Sequence, residues 1–235
     1  MPLRGVNLGG WLMMEGYILG GPNVAENQIK RKFKKLYGKK GLKLFERSFR
    51  DNFIQEDDFK NIAAMGANTV RLPFNCRLVE KRPAEYSPKG LAYLDKALAW
   101  AKKYNLGVIL DLHAAPGAQN CDWHSDSSGR AMLWENKNLR RRTVDIWEQL
   151  VDRYKDDPAL IGYDLLNEPV LEDKDPTVLK EFYGQCIERV RAVDKKHLIF
   201  IEGDVWATRI DFLKDLLSES VTVSIHAYWP LYYTF

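Results

Sequence analysis

The chain has 235 residues, 46% hydrophobic and 29% charged, with 7 Trp, 11 Tyr and 10 Phe, a composition that excludes a disordered polypeptide and a length that suits one large domain or two small ones, either with a sizeable core. Lys and Arg number 35 against 32 Asp and Glu, and a net charge of +3 names no polyanionic partner. The most apolar early stretch, 11–21, is interrupted by Glu15 and falls short of the roughly 20 residues of a spanning helix. Neither a nucleic acid nor a membrane is expected as a partner.

Taken in chain order, short apolar runs alternate with segments of helical period. Strands are predicted at 3–8, 69–73, 107–112, 161–166, 198–202 and 221–226. The first begins so early that no leader is expected. A reducing, cytoplasmic setting follows, or a secreted one if a leader has been removed. Three cysteines (Cys76, Cys121 and Cys186) are odd in number and too few for a disulfide scaffold. A basic block at 30–43, seven Lys and one Arg interleaved with Phe33, Leu36, Tyr37 and Leu42, reads as the solvated side of an amphipathic helix rather than a polyanion site.

Helices are predicted at 56–65, 91–104, 138–154, 176–193 and 206–217. The first opens on acidic residues and stops at Gly66, as a helix dipole and a left-handed cap favour. The second carries Leu91, Leu94, Ala97, Leu98 and Ala101 on one face, and the third Leu139, Val144, Trp147, Leu150 and Val151. Strands alternating with helices form a parallel sheet, and largely apolar strands belong where both faces are covered. Polar residues close nearly every strand: Asn7, Arg71, His113, Asn167 with Glu168, Glu202 and His226. No G-x-G-x-x-G turn follows the first strand, so an α/β parallel (β/α)8 TIM barrel is favoured over a doubly wound sheet. A barrel needs eight strands and typically about 250 residues. Only about six βα units are legible, so residues 1–235 are expected to form a single barrel domain truncated before strands seven and eight.

The strongest motif is Ile161-Gly162-Tyr163-Asp164-Leu165-Leu166-Asn167-Glu168-Pro169. Proline stops the strand and fixes the turn, holding Glu168 at the rim. Among aromatic and apolar groups its pKa is expected to be raised, as a proton donor at neutral pH requires. Read alone, the motif is equally an exposed acid in an ordinary turn. Arg71, His113, His226 and Tyr228 share the rim. Each singly reads as a satisfied buried polar group, but four at matching strand ends point to a site. Such side chains bind sugar hydroxyls, while Trp123, Trp134, Trp206 and Trp229 offer flat faces to sugar C–H groups. A carboxyl pair flanking the bond is what glycoside hydrolysis requires. Cys121-Asp122-Trp123-His124 shows no zinc spacing, so no metal and no cofactor is expected, and Cys121 is assigned to the loop above the third strand.

Five ordered motifs carry a resemblance along essentially the whole chain: Arg4 to Leu12, Asn68 to Phe74, Asp111 to His113, Leu166 to Pro169 and His226 to Tyr228. The sequence resembles the N-terminal three quarters of a family 5 glycoside hydrolase, a retaining enzyme on a TIM barrel. The resemblance implies Glu168 as acid/base, Asn167 on the sugar 2-hydroxyl, Arg71 and Tyr228 holding the nucleophile, and His113 and His226 lining the same subsite. The stretches Gly9 to Glu15 and His113 to Asn120 are similar to the exo-β-1,3-glucanase branch, which implies that Glu15 grips the terminal sugar; otherwise Glu15 is a surface residue of the first loop. The family nucleophile lies on strand seven and is expected beyond residue 235, so the isolated chain is expected to be inactive. Glu202, on strand five, is not assigned that role. The implied partner is a β-linked oligo- or polysaccharide, together with the missing part of the barrel. The alternatives are a carbohydrate-binding protein without turnover, or a fragment that needs a second chain.

Overall fold

The computed structural model describes residues 2–229, and a six-stranded parallel sheet organises them. Its strands are β1 (Gly5–Asn7), β2 (Thr69–Asn75), β3 (Gly107–Ala114), β4 (Leu160–Asp164), β5 (Leu198–Glu202) and β6 (Val221–Ser224), lying side by side in chain order. A doubly wound sheet reverses its order partway, whereas sequential order belongs to a barrel wall. The wall is strongly curled. Arg71 of β2 reaches Glu202 of β5 at 3.0 Å, although three strand spacings would span roughly 14 Å of flat sheet.

The two faces divide by alternation. Val70, Leu72, Phe74, Val108, Leu110, Tyr163, Ile199 and Ile201 are fully buried in the hydrophobic core. Arg71, Asp111, Asp164 and Glu202 meet one another on the other face. Most strands start where predicted, but β4 stops at Asp164 and β6 at Ser224, which leaves Asn167, Glu168 and His226 in irregular backbone beyond the ladder.

Five longer helices accompany the strands: α1 (Glu26–Phe53), α2 (Glu56–Ala64), α3 (Pro88–Lys103), α4 (Lys137–Tyr154) and α5 (Thr177–Val193). Their ends follow local chemistry. Gln55 and Asp58 form a capping box at α2, which ends before Gly66 at φ 84°. The Ser87 side chain accepts from the Gly90 N–H at the start of α3, with Pro88 in the first turn. The basic block lies on α1, but not on one continuous helix. Gly38 adopts φ 67° and ψ −177°, so α1 folds back as a helical hairpin lined by stacked Phe33 and Phe45 (3.9 Å) and by Phe49 and Phe53 (4.9 Å).

The helix predicted at 206–217 is replaced by a turn at Asp204–Ala207, with positive φ at Val205, Trp206 and Ala207, and a 3-10 segment at Asp211–Leu216. The apolar spacing there mimics a helix. The backbone is instead bent by Asp204, whose carboxylate accepts from the Leu171 N–H at 2.8 Å and pairs with Arg209. A short hairpin, Glu80–Arg82 with Glu85–Tyr86, turns through Ala84 at φ 62° and had no counterpart in the apolar pattern.

Trp147 of α4 is fully buried, edge-on to Phe74 and Tyr163, and its Nε1–H donates to the Leu165 carbonyl at 3.0 Å. Trp147→Ala leaves a cavity and an unpaired carbonyl three residues before Glu168. We expect a loss of about 3–5 kcal/mol in urea unfolding, with Trp147→Phe losing clearly less. Equal losses for the two variants would show that ring packing there carries little.

Candidate active site

Glu168 is the centre of the polar rim and is only 7% exposed. Its backbone is left-handed, φ 46°, a strained position for a glutamate that the surroundings fix from three sides. Its N–H donates to Glu202 Oε2 at 2.6 Å, its carbonyl accepts from Asn120 Nδ2 at 2.8 Å, and the preceding Asn167 carbonyl accepts from Gln119 Nε2 at 2.8 Å. Gln119 Nε2 also donates to the His113 carbonyl at 2.8 Å, tying the ends of β3 and β4 together.

The Glu168 carboxylate meets three polar side chains. Oε1 lies 2.5 Å from His226 Nδ1 and accepts from the Tyr228 hydroxyl at 2.9 Å; Oε2 lies 3.1 Å from His124 Nε2. The far nitrogen of His226, Nε2, is 3.0 Å from Glu202 Oε1. His226 therefore bridges two carboxylates, and an imidazolium satisfies both. Burial opposes that charge, but bonds to Glu168 and Glu202 outweigh it and push the His226 pKa up to about 10.

The raised pKa expected for Glu168 is overturned. Burial does push it up, but the hydrogen bonds and charges of His124 and His226 outweigh burial and hold the carboxyl well below the usual range. The expectation surrounded Glu168 with apolar walls, and the structure surrounds it with imidazoles and a phenol.

Below this layer, Arg71 is clamped by carboxylates. It contacts Asp111 Oδ2 at 2.9 Å, Asp164 Oδ2 at 2.7 Å and Glu202 Oε1 at 3.0 Å, and it donates to Asn167 Oδ1 at 2.9 Å. Burial, with Glu202 and Asp111 beside it, outweighs Arg71 at Asp164 and raises that carboxyl well above its ordinary value, which favours a retained proton. His113 Nδ1 lies 2.7 Å from Asp111 Oδ2, and its Nε2 lies 3.9 Å from Glu15 Oε2. Burial opposes the His113 charge and Asp111 outweighs it, so that pKa is also raised. Glu15 is 3% exposed, not a surface residue of its loop.

All seven residues predicted for the site thus converge: Glu15, Arg71, His113, Asn167, Glu168, His226 and Tyr228. Tyr228 faces Glu168, and Arg71 faces the three buried carboxylates. Trp134 does not offer its ring to the cleft; it is buried, edge-on to Phe182, with Nε1 donating to the Gln119 carbonyl at 2.8 Å. Sequence reasoning missed His124, set aside with its neighbours as an unconvincing metal motif, and Glu202, visible as a strand-end acid. It also missed Tyr17, whose pKa burial, then Glu15 and Glu168, raise to about 12.

His226 gains its partners on folding, so its charge stabilises the fold fully below its ordinary pKa of 6.5, and that contribution is lost as pH rises through about 10. In an NMR titration His226 should stay protonated through neutral pH, and Glu202→Gln should lower its midpoint. A native midpoint near 6.5 would rule out the bridge.

Residues 28–234 match the profile of the family described as Cellulase (glycosyl hydrolase family 5). A "Beta-xylosidase" of Phanerodontia chrysosporium is 35% identical over 96% of this chain and 48% of its own length. "Endoglucanase C" of Acetivibrio thermocellus is 31% identical over 98% of this chain and 58% of its own, and "Probable glucan 1,3-beta-glucosidase A" of Aspergillus clavatus is 33% identical over 88% and 51%. The chain spans about half the length of these curated relatives. The fold is shared with the solved structure of AoRut, at a TM-score of 0.79 and 20% identity over 96% of this chain and 68% of that one. With the profile spanning most of its residues and the barrel strands in chain order, the chain belongs to glycoside hydrolase family 5.

Proposed function

We propose that the protein is a retaining β-glycoside hydrolase acting on β-glucan or β-glucoside oligosaccharides, with Glu168 as acid/base. The observation that carries this reading is the fixed carboxylate of Glu168 at the rim, with His226 Nδ1 2.5 Å from its Oε1. A retaining site needs a second carboxylate about 5–5.5 Å from the first. Glu202 is a poor candidate, being fully buried and engaged by Arg71, His226 and the Glu168 N–H. The family resemblance implies a nucleophile on strand seven, past residue 235.

A second negative charge beside Glu168 disfavours its ionised form and draws the His226 proton onto Oε1, leaving neutral His226 bonded to Glu202. Glu168 then protonates the departing glycosidic oxygen, and as a carboxylate it later takes a proton from the water that releases the sugar. Glu15, its Oε2 3.9 Å from His113 Nε2, is read by the resemblance as a contact of the terminal sugar. The resemblance to the exo-β-1,3-glucanase branch is what favours an exo-acting reading.

In the active protein, Glu168→Gln should cut hydrolysis of oligosaccharides by about 10²–10⁴-fold. It should spare a dinitrophenyl β-glucoside far more, because that leaving group needs no proton. Hydrolysis of both substrates at native rates in the variant would sink the assignment. Glu15→Gln should raise KM for a β-1,3-linked oligosaccharide about tenfold or more, the effect of roughly 1.4 kcal/mol, with little change in kcat. An unchanged KM would place Glu15 outside the substrate contacts.

A further inference from the structure

The basic block lines a groove that the catalytic reading does not use. The second arm of α1, the segment following β2 and the first turns of α3 enclose about 1030 Å³. Lys40, Lys43, Arg47, Lys81, Lys89 and Lys96 line its walls, and none of them makes an ion pair with a described residue. Its two acids are already engaged. Glu46 pairs with Lys30 at 3.0 Å and Arg50 at 3.3 Å, and Asp51 accepts from the Tyr93 hydroxyl at 2.9 Å. Arg50 also lines the groove, and its buried Nε has no hydrogen-bond partner among the described residues. The N-terminus of α3, at Ser87, Lys89 and Gly90, adds the positive end of a helix.

Like charges gathered without counter-charges repel one another, and a bound polyanion relieves that repulsion. Cations running down both walls suit a chain laid between them, whereas a flat bilayer would touch only the crests. Tyr93 and the 60% exposed Leu44 offer apolar surface on which a sugar ring can rest. We propose that this groove is a second, non-catalytic binding site for a linear polysaccharide whose β-linked backbone bears carboxylate groups. The choice of a saccharide among polyanions rests on the hydrolase reading; the preference for an anion rests on the groove alone.

The test is fluorescence anisotropy with labelled carboxymethyl cellulose and neutral hydroxyethyl cellulose, which share one backbone. The carboxymethylated chain should bind at least about tenfold more tightly, a difference of roughly 1.4 kcal/mol. The preference should fade with added salt and vanish in the triple variant Lys43→Glu, Lys81→Glu, Lys89→Glu, whose circular dichroism should match the native protein. Glu168→Gln should leave the preference intact, so the groove is judged by charge preference alone, and the catalytic reading fails separately if that variant of the active protein keeps native hydrolysis. Hydrolysis without a charge preference overturns the groove alone. Equal affinity for the two glucans, a triple variant that binds like the native protein, or tighter binding of polyuridylate or anionic phospholipid vesicles would each overturn the proposal.

Discussion

One guanidinium holds the inner face of the sheet together. Arg71, on β2, contacts Asn7 of β1, Asp111 of β3, Asp164 and Asn167 at the end of β4, and Glu202 of β5. Five consecutive segments of a curled wall are thereby joined through one side chain, which is why the curl and the site are a single feature. Three carboxylates around one cation leave excess negative charge in a poorly hydrated space. The strain is relieved in two ways: Asp164 is driven toward its protonated form, and His113 and His226 bring shared positive charge to Asp111 and Glu202. Removing one member of such a buried set typically costs about 3–5 kcal/mol, because the partners left behind stay charged and dry.

The same network sets the backbone of Glu168. A left-handed glutamate costs of order 1–3 kcal/mol and persists only where its neighbours over-determine it. Glu202 supplies that constraint with one oxygen, which accepts the Glu168 N–H, while its other oxygen faces Arg71 and His226. Glu202 thus fixes both where Glu168 sits and what charge its imidazole neighbour carries.

Much of this was legible in the sequence, because apolar runs punctuated by polar strand ends encode a barrel directly. The convergence of Arg71, His113, Glu168 and His226 follows from sheet geometry once strand ends are aligned. Other features depend on distances that no local pattern carries. His124 sits in a loop, 44 residues from Glu168 in the numbering, and only the path of that loop brings them together. The charge state of Glu168 depends on that same loop, so an expectation built on apolar neighbours had the wrong sign. At 206–217 the apolar period favours a helix, and a tertiary constraint, the bonding of Asp204 to Leu171 and Arg209, wins over it. The fold-back of α1, at Gly38, is marked locally only by two glycines, Gly38 and Gly41, within an otherwise helical run.

The loop after β3 is where these threads meet. Gln119 and Asn120 hold the backbone of Asn167 and Glu168, and His124 holds the Glu168 carboxylate. Asp122 accepts from Trp206 Nε1 at 2.8 Å, reaching across to the loop after β5. Asp126 accepts from the Asn27 N–H on α1 and from Asn75 Nδ2, and pairs with Arg77 at 2.9 Å, beside the basic groove. One segment therefore contacts Glu168, an aromatic of the loop after β5 and a wall of the groove. Polar side chains rather than a continuous apolar core make these contacts, so each fixes direction as well as distance. A change in this loop's length would displace Glu168 and the groove together, whereas the strands beneath, held by Arg71, would keep their register.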